Sequence, residues 1–260
     1  MECQIIIKHL KINKNIGDVV IVVEGESEEF KLLKHIFTKV LDYNYLSIRR
    51  NKIMKDRFVS KSNTSSSIIV ANTSTSNIKS ILEDCDYKDK LYRLLKCDYN
   101  RSLKNVPIYI LWDRDVDSNK EDTVLKSLLT FRSALDNDYE MNGLLLLSYP
   151  CVESYEFSNF NKQLWKINFK SSMDAKKKMK MIIPKLDDIN ENSLLLAVEN
   201  MHRTMKKNGI RFYDPSNFLK ENVKIFNKES EEYLNNKYFN ALSLISIMLI
   251  DLGIISEKEK

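Results

Sequence analysis

The stretch VVIVVEGESEEF, residues 19–30, decides how this chain is read. Five consecutive branched apolar residues give way to Glu24-Gly25, a run of acids, and then an amphipathic pattern. A short apolar run without alternation is the mark of a strand covered on both faces, as in a parallel sheet between helices. The same texture recurs at PIYILW (107–112) and GLLLLS (143–148), and SSIIVAN (66–72) supplies a fourth run. Between them Phe30, Leu33, Phe37 and Leu41 recur at spacings of three and four, the period of a helix with one buried face. Residues 77–82, 88–95 and 123–135 are patterned alike. The order of strands and helices predicts an α/β fold, a mostly parallel sheet flanked by helices.

Each strand is followed by acids. VVIVV runs into Glu24, PIYILW into Asp113-Arg114-Asp115, and GLLLLS into YPCVE with Glu153. In an open parallel sheet the ligand crevice lies outside the carboxyl ends of the strands, so these acids are expected at one edge. Asp113 and Asp115, two apart in extended chain, are expected to face one side. Gathered carboxylates repel, and at least one must hold its proton unless a cation neutralises them. Mg²⁺ or Mn²⁺ is the expected cation, since both take hard oxygen ligands. Gly25, one of 5 glycines in the chain, leaves room for a phosphate beside Glu24.

A strand ending in Glu-Gly, followed about ninety residues later by one ending in Asp-x-Asp, resembles the TOPRIM domain of topoisomerases, primases and OLD-family nucleases. VVIVVEGESEEF is similar to its first motif and IYILWDRDVD to its second, the likeness covering roughly residues 15–160. EGESEE resembles the OLD-like and PARIS-type phage-defence proteins most. The resemblance implies a Rossmann-like TOPRIM domain over residues 1–165 and a metal-dependent nuclease. Glu24, Asp113 and Asp115 would be catalytic, and Glu24, Glu28, Asp113, Asp115 and Glu153 would hold two Mg²⁺ ions. It further implies an effector of anti-phage defence with a separate ATPase partner. Glu26 stands where relatives place a small residue, and Arg114 separates the aspartates. Lys162 and Lys166 are the candidates for a basic residue against the scissile phosphate. Alternatives are a primase-like nucleotidyl transferase and a non-catalytic TOPRIM subunit in a larger assembly.

Composition excludes other classes. No glycine-rich phosphate loop occurs, so no nucleotide cofactor is expected. Three scattered histidines and four isolated cysteines offer no zinc motif and suit a reducing cytoplasm. No signal peptide or membrane segment is expected. Simpler readings of single residues stand beside the functional ones: Glu28 suits a helix's first turn, and Asp117 suits a helix cap.

Residues 166–260 are expected to form a mainly helical extension that contacts nucleic acid, a second copy or a partner. Residues 166–211 carry 11 Lys/Arg against 5 Asp/Glu, and Gly209 marks a helix end. Lys176, Lys177 and Lys178, with Arg49 and Arg50 of a second basic cluster, are candidate nucleic-acid contacts; solvated faces would look the same. Residues 238–255 read as one largely apolar helix with a narrow polar stripe.

Overall fold

The computed structural model describes residues 5–25, 28–50, 53–73, 77–83, 89, 93, 96, 105–135, 142–181, 185–211 and 218–259. After a first strand, β1 (Ile5–Leu10), the run at 19–23 forms β2 (Asp18–Val23), whose four valines and one isoleucine are buried on both faces. It leads to α1 (Glu28–His35), which continues as a π-helical turn through Val40. A hairpin, β3 (Tyr43–Arg50) and β4 (Ile53–Ser60), precedes β5 (Ser67–Asn72) and α2 (Ile78–Glu83). Then come β6 (Ile108–Asp113), α3 (Glu121–Thr130), β7 (Arg132–Ser133) and β8 (Gly143–Tyr149). β2 pairs in parallel with β5 and β6, and β6 with β8.

Across the sheet the order is β11-β8-β6-β2-β5-β4-β3, where β11 (Leu242–Ser243) comes from far down the chain. β3, β4 and β11 run antiparallel to their neighbours, as does β7 on β8. The fold is therefore α/β, a mixed sheet with a parallel centre flanked by helices. Of the four parallel strands, β2 leads sideways to β5, and the chain then resumes at β6 on the other side. The direction reverses between β2 and β6. Such a switch point opens a crevice, because the flanking helices part to opposite faces.

The 43–60 hairpin is absent from the sequence reading, which treats its residues as a basic cluster. It is an edge element with one packed face: Tyr43 and Phe58 are buried while Asn44 and Leu46 are exposed. Phe30, Phe37, Tyr43, Tyr45 and Phe58 interlock beneath α1, with ring centroids 5.4–6.3 Å apart. At the other side, Gly143 opens β8 at φ +85°, and a Cβ there would stand 2.9 Å from Ile108 Cγ2. The helix expected over 88–95 lies almost wholly outside the described residues.

The remaining elements are α4 (Glu153–Ser158), β9 (Asn168–Phe169), α5 (Ser172–Met179), α6 (Glu191–Lys207), α7 (Leu219–Asn236), β10 (Phe239–Asn240), α8 (Ile245–Asp251) and β12 (Ile255–Glu259). Gly209, at φ +71°, follows the end of α6 as expected. From residues 166–260, Leu194, Phe226, Ile247 and Ile255 join the same buried cluster as the sheet. β12 returns to pair with β1.

The segment 238–255 is not one helix. Its polar residues have partners that a helix would deny them. The Asn240 backbone N–H donates to Glu229 Oε2 at 2.9 Å, and Ser243 Oγ shares a 2.8 Å hydrogen bond with Ser148 Oγ. Two short strands form there, and helix is confined to α8. Among the described residues, no helix is long and apolar enough to cross a membrane.

Candidate metal centre at the sheet switch point

Glu24 is the first residue beyond β2, and Asp113 is the last of β6, so the reversal of strand order puts them side by side. The Asp113 backbone N–H donates to Glu24 Oε2 at 3.3 Å, and Thr73 Oγ1 donates to the Glu24 carbonyl at 3.0 Å. Glu29, in the first turn of α1, folds back over the same point. A Cβ at Gly25 would lie 3.4 Å from Glu29 Oε2, in ordinary van der Waals contact. Carboxylate oxygens of Glu24, Glu29 and Asp113 lie within 4.8 Å of one another. Asp113 also belongs to a second group: its carboxylate, Cys151 Sγ and a Glu153 oxygen meet the same limit. Cys151 lies two residues beyond the end of β8, and Glu153 starts α4.

Burial and mutual repulsion dominate the electrostatics. The Glu24 carboxyl is pushed up to about 7, chiefly by burial, against the Asp113 N–H and with help from Glu29 and Asp115. Asp113 is raised well above the usual carboxylate range by burial and by Glu29, Glu24 and Glu153. Glu29 is raised by burial and by Glu153. Lys176 Nζ, from α5, stands 3.7 Å from Glu153 Oε1 and eases the charge on Glu24, Glu29 and Asp113.

Glu153 carries a further cost. Its side chain is 9% exposed, and Oε2 is buried with no hydrogen-bond partner among the described residues. A buried acceptor left without a donor costs on the order of 1–3 kcal/mol, more when charged. A divalent cation fits this set: it would neutralise several carboxylates and give Oε2 a partner.

Of the residues expected at the site, Glu24, Asp113 and Glu153 come together and two others turn elsewhere. Glu28 is half-exposed, its carboxylate 3.2 Å from Lys31 Nζ. Asp115 spends its oxygens on its own loop, accepting from the Asp117 N–H at 3.2 Å and the Ser118 hydroxyl at 3.0 Å. Arg114 between the aspartates faces the opposite way. It is buried, donates to the Asn119 carbonyl at 3.0 Å and lies over the Phe226 ring.

The basic candidates divide similarly. Lys176 reaches the acids, Lys177 is exposed, and Lys178 is held by Asp174 and the Asn168 carbonyl. Lys166 donates to Gln163, and Lys162 is exposed. Arg49 and Arg50 end β3, and their side chains lie outside the described residues.

Glu29 and Cys151 escaped the sequence reading. Glu29 had a usable signal: Leu32, Leu33, Ile36 and Val40 follow it at +3, +4, +7 and +11, and all are buried. That phase puts Glu29 on the inner face, whereas Glu28 has exposed Lys31 at +3. Cys151 had no such signal, because its role depends on where β8 ends relative to β6.

No protein-family model matches the sequence, and no curated protein matches it either.

Proposed function

We propose that this chain is a Mg²⁺- or Mn²⁺-dependent nuclease of TOPRIM type that hydrolyses phosphodiester bonds of DNA or RNA. The observation that carries the reading is the carboxylate group of Glu24, Glu29 and Asp113 at the sheet's switch point, with Glu153 adjoining through Asp113. The motifs around Glu24 and Asp113 support it. Glu24, Glu29 and Asp113 would hold one ion, and Asp113 with Glu153 could share a second. Bound there, the metal would neutralise phosphate charge and polarise the scissile bond.

The chain's own groups have complementary tasks. Glu24, whose carboxyl is pushed up to about 7 while no cation is bound, would be held deprotonated by a bound ion and act there as a ligand. Lys176, half in solvent at the rim, offers a cation to an approaching phosphate. Arg114 is turned away and has no place at the substrate. A role as an anti-phage effector governed by an ATPase subunit rests on the resemblance alone.

The test is cleavage of plasmid, single-stranded DNA and total RNA in Mg²⁺, Mn²⁺ or EDTA, with wild type beside Glu24→Ala and Asp113→Ala. Cleavage by wild type that is lost in EDTA and in both variants is expected. Cleavage that survives Asp113→Ala overturns the assignment, as does calorimetry showing no metal binding by wild type.

A further inference from the structure

The group formed by Asp113, Cys151 and Glu153 differs in kind from an all-oxygen Mg²⁺ site. Its ligand atoms are two carboxylate oxygens and one sulfur, all within 4.8 Å. Two of the three residues are buried, Cys151 completely and Glu153 at 7% exposure. Glu153 Oε2 lacks a hydrogen-bond partner among the described residues. Cys151 is a free cysteine whose thiol lies against the Glu153 carboxylate and also reaches the Ser172 carbonyl at 3.9 Å. A buried structural cysteine ordinarily sits among apolar groups. One side of Cys151 does so, in a small cluster with Phe157, Phe169 and Ala175. Its sulfur nonetheless shares space with two carboxylates, which disfavour a thiolate unless a cation joins them.

We propose that Asp113, Cys151 and Glu153 form a site for a borderline divalent cation of the Zn²⁺ class, bound through one thiolate and two carboxylates. Three protein ligands with an open position suit Zn²⁺ or Co²⁺, whereas Mg²⁺ avoids sulfur. On binding, the S–H bond breaks, a sulfur–metal bond forms and the proton leaves to solvent; nothing is oxidised or reduced. Lys176 Nζ, at 3.7 Å from Glu153 Oε1 and 51% exposed, can swing into water as the ion enters. The site shares Asp113 with the first proposed Mg²⁺ ion and takes the place of the second, and it stands without the nuclease reading. A chain that binds such an ion through sulfur and cleaves nothing keeps this inference and loses the other.

Co²⁺ serves as the probe, titrated into the full chain while the near-ultraviolet thiolate-to-cobalt charge-transfer band is followed. Wild type should develop a saturable band that Zn²⁺ removes and Mg²⁺ in large excess leaves. Cys151→Ser should lack it. A chain with serine at Cys3, Cys85 and Cys97 should keep it, a positive result that does not depend on the Cys151 variant folding. Glu153→Gln should weaken Co²⁺ binding by at least about tenfold. Co²⁺ binding without a thiolate band in wild type overturns the proposal, and so does a band missing from the chain that retains only Cys151.

Discussion

Lys176 Nζ lies 3.7 Å from Glu153 Oε1, so a lysine from beyond the fourth parallel strand caps the acidic cluster. Burial would lower the Lys176 ammonium's affinity for its proton, but Glu153, Cys151, Asp113 and Glu28 together raise it. The lysine thus holds part of the place that a metal ion would take. Lys176→Gln should let Mg²⁺ bind about two- to fivefold more tightly, the worth of a half-exposed ion pair. Calorimetry on the two proteins measures it; weaker Mg²⁺ binding in the variant would show that Lys176 supports the site rather than competing for it.

The adjacent glutamates of α1 should separate cleanly. Glu29 is buried within the acid group, while Glu28 faces Lys31 in solvent. Glu29→Gln is expected to lower Mg²⁺ affinity at least about tenfold. Glu28→Gln should lose only its helix-surface pair, about 0.2–0.5 kcal/mol, and bind Mg²⁺ as wild type does. Metal titration and chemical denaturation of both variants give the comparison, and equal losses of affinity would return Glu28 to the ligand set.

Asp115 offers a similar contrast with Asp113. Its two oxygens accept from Asp117 and Ser118, so it holds the loop after β6 in shape. Asp115→Asn keeps an acceptor for that turn and should retain most metal binding and cleavage. Asp113→Asn, which removes a charge common to both groups, should abolish them. Parallel cleavage assays at fixed Mg²⁺ give the ranking, and its reversal would make Asp115 the ligand.

Glu229 sets a pH dependence away from the metal site. It is fully buried, accepts from Asn208 Nδ2 and from the Asn240 backbone and side chain, and has Glu232 nearby. Lys207 reaches this network through Asn240. Burial, partly offset by these hydrogen bonds, pushes its carboxyl from 4.5 up to about 7. Between those values the folded chain binds more protons than the unfolded one, so stability falls as pH rises. The contribution is at most about 1.4 kcal/mol per pH unit and levels off outside that window. Glu229→Gln cannot titrate and should show a shallower fall from pH 5 to pH 7 in EDTA. The slope that remains belongs to Glu24, Glu29, Asp113 and Glu156, which are raised in the same sense. Denaturation midpoints across that range test it; an unchanged slope would clear Glu229.

The central strands and two of the site's acids were legible because their information is local. An unbroken run such as VVIVV has no solvent face to offer, so it must be an inner strand wherever it falls. Glu24 and Asp113 stand at the ends of such runs, and parallel strands bring their carboxyl ends to one edge. The edge hairpin at 43–60 was illegible for the opposite reason. It is half-buried, and its basic residues mask the alternation of Tyr43, Tyr45 and Phe58.

By itself, then, the sequence determined an α/β core and delivered Glu24, Asp113 and Glu153 to one pole, because burial pattern and strand polarity are written residue by residue. Only the tertiary structure decided that Glu29 replaces Glu28, that Asp115 serves its own turn, and that Cys151 and Lys176 join the acids. Those choices depend on the rotation of α1 over β2 and on how α5 packs beside α4. They depend also on partners such as Ser118, which compete for a carboxylate through space. The same held at the carboxyl end. Asn240 and Ser243 leave the helical path because Glu229, on the preceding helix, and Ser148, far off in sequence, offer buried hydrogen bonds that only the folded chain brings near.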